Sequence, residues 1–173
     1  MKHRNLAVTV SGMSLAMLCL AMLCLALLGT AHAAPELKPF QEEAKAKFDE
    51  SMEAPLDAAN TACGIKITVT SEYERFDAEV WKGRWHYGWC VPVLEEIQKM
   101  CESRPAYKKV LAKKLKAVRC MFSGVQPKDK KDSSTVWTKK NMSLKDGTFV
   151  FHMDKEQANL NVAAKEALEA ALN

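Results

Sequence analysis

Between Cys90 and Cys120 the chain sets a geometric problem that limits how it can fold. Cys90-Val91-Pro92-Val93-Leu94-Glu95-Glu96-Ile97-Gln98-Lys99-Met100-Cys101 reads as a core helix with a cysteine near each end. Pro92 suits the first helical turn, where its missing N–H costs nothing. Cys90, Val93, Leu94, Ile97, Met100 and Cys101 recur at helical spacing and make one apolar face. Cys90 and Cys101 point the same way but lie roughly 16 Å apart along a helix axis, whereas a disulfide needs Cα atoms within about 7 Å. Each must therefore bond elsewhere.

The partners are set by cysteine count and by export. Residues 1–33 read as a signal peptide. Lys2, His3 and Arg4 start it, an apolar run extends from Leu6 to Leu28, and Ala31-His32-Ala33 supplies a cleavage pattern. The run is long enough to span a bilayer, so a retained anchor is the alternative; Ala-x-Ala and Pro35 favour cleavage. Cys19 and Cys24 fall inside it, leaving Cys63, Cys90, Cys101 and Cys120 in the exported domain, residues 34–173. An even count in an exported chain predicts two disulfides. Two connectivities satisfy the helix: Cys63–Cys90 with Cys101–Cys120, or Cys63–Cys101 with Cys90–Cys120. Parallel strands around a crossover helix would favour the second.

Leu37, Phe40, Ala44, Phe48 and Met52 predict an amphipathic helix over roughly 37–53, ended or interrupted at Pro55. Cys63 to Thr70 alternates apolar and polar residues and predicts a strand with Cys63, Ile65, Ile67 and Val69 facing inward. Residues 71–80 are either a second short strand or an irregular edge. A short helix is expected over Ala106–Lys113 and a strand over Leu115–Phe122. Residues 123–134 form a loop by composition. Asp146-Gly147 is a preferred two-residue hairpin turn, setting Lys145 against Thr148, Leu144 against Phe149 and Met142 against Phe151. Asp154, with Gln157 three residues on, is expected to cap a last helix that runs to the C-terminus. The order implies one small α+β domain, with a mostly antiparallel sheet of about four strands and helices packed on its inward face.

Function is less constrained. With Lys2 and Arg4 removed from 25 basic residues, 23 stand against 21 acidic ones, too balanced for nucleic-acid binding. No Cys-x-x-Cys pair, Gly-x-Ser-x-Gly, His-Glu-x-x-His or phosphate loop occurs, so no metal, cofactor or catalytic residue is assigned. His86 and His152 are the only histidines after residue 33.

Two features remain. Trp81, Trp85 and Trp89, with Tyr87, fall within nine residues. Gly83 and Gly88 predict a loop there rather than a helix. The aromatics form either a contact surface for a sugar ring, peptide or membrane interface, or an inward cap on the core beside Cys90. Lys108, Lys109, Lys113, Lys114, Lys116 and Arg119 form a basic stretch, either a solvated face or a site for an anionic polymer or lipid. The expected function is an exported, non-catalytic binding domain, periplasmic or extracellular. Its partner would be a protein or glycan at the cell envelope, and any membrane contact would go through an uncleaved signal segment. The alternatives are charge-held envelope association, a carboxylate-based hydrolase, or an inhibitor of a secreted hydrolase.

Overall fold

A computed structural model describes residues 36–172; the expected signal peptide lies outside them. From Leu37 onward the chain builds one α+β unit of five helices and one four-stranded sheet.

Helix α1 spans Pro39–Cys63, ten residues beyond the expected end. Pro55 lies inside it. An interior proline removes one ladder hydrogen bond and costs about 3 kcal/mol in isolation. Burial of Met52, Ala59 and Cys63 along the same stripe, with Cys63 bonded to the next helix, offsets that cost. The stop is Gly64, in the left-handed conformation (φ 64°), its N–H donating 2.8 Å to the Asn60 carbonyl. The expected strand over 63–70 is thereby corrected: Cys63 ends a helix, and strand β1 is only Thr68–Ser71. The alternation survives as burial, with Cys63 and Ile67 buried and Ile65 and Val69 half-buried. The Asn60 side chain fastens the connector, accepting from Ile67 N–H at 2.8 Å.

Residues 71–80 are the irregular alternative, starting with a 3-10 turn at Tyr73–Arg75. Helix α2 (Val91–Ser103) begins after Cys90 and helix α3 (Pro105–Lys114) follows at once. Then come β2 (Ala117–Met121), α4 (Ser134–Lys140), β3 (Met142–Lys145), β4 (Thr148–His152) and α5 (Leu160–Leu172). Helix α4 was not expected. The Ser133 hydroxyl caps it by accepting from Val136 N–H at 3.2 Å, and Trp137 is buried with its Nε1 donating 2.7 Å to the Gln126 carbonyl. Helix α5 starts six residues after Asp154. The expected cap is a separate turn, in which Gln157 Oε1 accepts from Asp154 N–H at 2.9 Å.

The strand order is β1-β2-β4-β3. β1 pairs parallel with β2, β2 parallel with β4, and only β3–β4 is antiparallel. The mostly antiparallel sheet is therefore corrected to a mixed one. The reason lies in the connections: α2 and α3 carry the chain from β1 back to its starting side, as a parallel pairing requires. The hairpin keeps the expected register, Met142 opposite Phe151 and Leu144 opposite Phe149. Val118, Cys120, Phe149 and Phe151 are buried under the helices, while Thr68, Thr70, Arg119 and Ser143 lie on the exposed face.

Both disulfides form, Cys63–Cys101 and Cys90–Cys120, with Cα separations of 5.1 and 6.2 Å. The Cys63–Cys90 alternative is excluded. Two disulfides are consistent with an oxidising compartment. No helix among the described residues is long and apolar enough to cross a membrane.

Candidate functional site

The tryptophan-rich segment is held against the start of α1. The Gln41 side chain is buried and donates to the carbonyls of Glu74 and Phe76, both at 3.3 Å. Its Oε1 accepts from Lys38 N–H at 3.0 Å. Tyr73 packs edge-on against Phe48, ring centroids 5.7 Å apart, and Phe76 lies 6.4 Å from Phe40. Asp77 then folds the chain outward, its Oδ1 accepting from the N–H groups of Glu79 and Val80. A turn over 81–84 follows, closed by Arg84 N–H to the Trp81 carbonyl (2.9 Å) with Gly83 at φ 73°. A helix is thereby precluded and the three tryptophans diverge.

Their fates differ. Trp81 is 5% exposed and packs edge-on against Trp89 and Phe122, centroids at 5.7 and 5.6 Å. Trp89 is half-buried, its Nε1 donating 3.1 Å to the Asp154 carbonyl. Trp85 is 74% exposed, and its ring lies nearly parallel to that of Tyr87, 14° between planes and 6.4 Å between centroids. A cavity of about 330 Å³ opens beside them, walled by Phe40, Phe76, Trp81, His86 and Tyr87, with Glu43, Lys47 and Arg84 also lining it.

His86 sits at the centre, 4.4 Å from Phe76 and 5.2 Å from Tyr87 by ring centroid. Its Nε2 is buried without a hydrogen-bond partner. Burial lowers its pKa, the Ala44 backbone opposes this, and Lys47 adds to the lowering. Burial likewise raises the Tyr73 pKa, so that hydroxyl stays neutral. Glu43 and Lys47 pair at 2.7 Å, which lowers the Glu43 pKa and raises that of Lys47. Arg84 has no ion-pair partner among the described residues. The cleft thus joins aromatic walls to one cation without an ion-pair partner among the described residues.

The basic residues divide. Lys113, Lys114 and Lys116 gather around a depression of about 290 Å³ that also holds Asp146 and Gly147. Lys114 Nζ donates to the Ala171 and Leu172 carbonyls at the end of α5. Lys108 lies over Gly64, Lys109 is exposed on α3, and Arg119 projects from the open sheet face. Among the described residues no three His, Cys, Asp or Glu side chains gather as a metal site. His152 donates from Nδ1 to the Ser123 carbonyl at 2.6 Å.

A further cavity, between α2, α3 and α5, holds residues that the sequence did not single out, Glu96 and Glu169 among them. The available signal was Glu96 itself, a charged residue three after Val93 and four before Met100 on the buried stripe. Compared with known proteins, the chain matches no family model, no curated protein and no solved structure.

Proposed function

We propose that the protein is an exported, non-catalytic binding domain whose contact surface is the exposed Trp85 ring together with the adjoining cleft at Phe40 and Tyr87. The observation that carries this is Trp85, 74% exposed and stacked on Tyr87, whose own ring lines the cavity beside α1. A large exposed aromatic held by a turn and backed by a second ring is a ready platform for a ring-bearing ligand such as a sugar. Trp81, buried, and Trp89, half-buried, act as the footing of that platform. The test is NMR titration of the oxidised protein with neutral and uronic-acid oligosaccharides, following the Trp85 indole N–H. Binding that moves this resonance and is lost in Trp85→Ala, with the fold intact, is expected. Oligosaccharides that leave it unmoved, or that bind Trp85→Ala equally well, would overturn the proposal.

A second reading, charge-held association with an anionic envelope polymer or lipid, is supported by the gathering of Lys113, Lys114 and Lys116. Sedimentation with anionic phospholipid vesicles should then fall steeply with added salt and fail in Lys113→Glu/Lys116→Glu. Salt-independent sedimentation would reject it.

A further inference from the structure

The cavity between α2, α3 and α5 encloses about 320 Å³, at the lower end of the range for small-molecule sites. Its floor carries an anomaly. Glu96 is only 8% exposed, on the same helix face as Val93, Ile97 and Met100, yet no hydrogen bond or ion pair reaches it from any described residue. The stem of Glu96 is buried, but its carboxylate oxygens stay open to water and have no protein partner, which leaves them free to meet a ligand in the cavity. Nearby, Glu169 accepts from the Tyr107 hydroxyl at 2.9 Å. The Arg104 guanidinium lies 5.6 Å from the centre of the Tyr107 ring. Lys99 and Lys165 complete the charged lining. None of these five charged groups lies within 4.0 Å of an opposite charge among the described residues.

Charges of both signs converge on one small space without neutralising one another. We propose that this cavity binds a small zwitterion of the α-amino acid class, its ammonium on Glu96 and its carboxylate on Arg104 with Lys99 or Lys165. A simple amine would leave the three cations unmatched, and a simple acid would leave Glu96 unmatched. Met100 and the Tyr107 ring supply the apolar contact for the ligand's carbon atoms. The site is separate from the aromatic cleft, so its failure would leave the platform proposal untouched.

The test is an amide NMR titration of the oxidised protein with glycine, L-alanine, L-lysine, L-glutamate and L-phenylalanine, and with ethylamine and N-acetyl-alanine as singly charged controls. At least one amino acid should shift amides over 96–107 and 165–169. Each singly charged control should bind about tenfold more weakly or worse, the size expected for losing a charged hydrogen bond. Glu96→Gln should weaken amino-acid binding by at least about tenfold while leaving the melting temperature of the free protein unchanged, since no hydrogen bond or ion pair of the folded chain is lost. Arg104→Gln, at an exposed position, should weaken amino-acid binding and spare ethylamine. No shifts at millimolar amino acid, equal binding of ethylamine, or unchanged affinity in both variants would overturn the proposal. A lowered melting temperature in Glu96→Gln without loss of affinity would assign Glu96 to internal pairing and overturn it as well.

Discussion

Replacing the tryptophans one at a time separates platform from footing. Trp81 is 5% exposed and contributes two edge-on aromatic contacts, to Trp89 and Phe122. Truncating a buried tryptophan to alanine costs about 3–5 kcal/mol in lost burial and cavity formation. Trp85, at 74% exposure, has little burial to lose, and its replacement should stay within about 0.5 kcal/mol. With a urea slope of about 2 kcal/mol/M, Trp81→Ala should lower the unfolding midpoint by about 2 M and Trp85→Ala by less than about 0.3 M. Far-UV circular dichroism under non-reducing conditions measures both midpoints through the helix signal rather than through tryptophan fluorescence. Trp89→Phe tests the graded case, keeping a ring but losing the hydrogen bond to the Asp154 carbonyl, which is worth about 1 kcal/mol. Equal midpoints for Trp81→Ala and Trp85→Ala would refute the division of the cluster.

His86 confers a pH dependence whose sign follows from its burial. Its folded-state pKa lies below the ordinary 6.5, so its neutral form is favoured by folding. That stability is fully present above pH 6.5 and is lost as pH falls from there toward the lowered value. Urea midpoints measured from pH 7 to pH 5 should therefore decline, and His86→Phe, which places one more ring among Phe76, Tyr87 and Phe122, should flatten the decline; an unchanged slope would show that other groups cause it. Proteolysis of the non-reduced protein followed by mass mapping should return Cys63–Cys101 and Cys90–Cys120 peptides. Replacing either pair by alanine should cost about 4 kcal/mol, given sequence separations of 38 and 30 residues. A recovered Cys63–Cys90 peptide would contradict the topology.

What could be read from residues alone was whatever local chemistry determines. The hairpin register followed from Asp146-Gly147, whose φ values of 51° and 82° are those of the turn that this pair favours. The α2 cysteines were legible as unable to join because a helix fixes their separation. Cys63 to Val69 shows the limit: period-two alternation described burial correctly and secondary structure wrongly, because a helix end and an extended connector can share one inward direction. Gly64 was the overlooked stop signal. Pro55 misled in the opposite sense, since tertiary packing along α1 outweighed a local penalty. Strand direction was hidden because it depends on where crossovers return the chain. The tryptophan cluster was legible as a loop, but which ring faces outward depended on Gly83 and on a carbonyl 65 residues away, at Asp154.

Helix α2 is fastened covalently at both ends to different parts of the molecule, its start to β2 and its last turn to the end of α1. Two such bonds restrain the rod against sliding and rolling. Glu96 therefore projects from the doubly tethered wall of the cavity, whereas α3 and α5, which form its other walls, carry no crosslink of their own. Cleaving either bond would free one end of the rod, so reductant should loosen that wall well before it unravels the sheet.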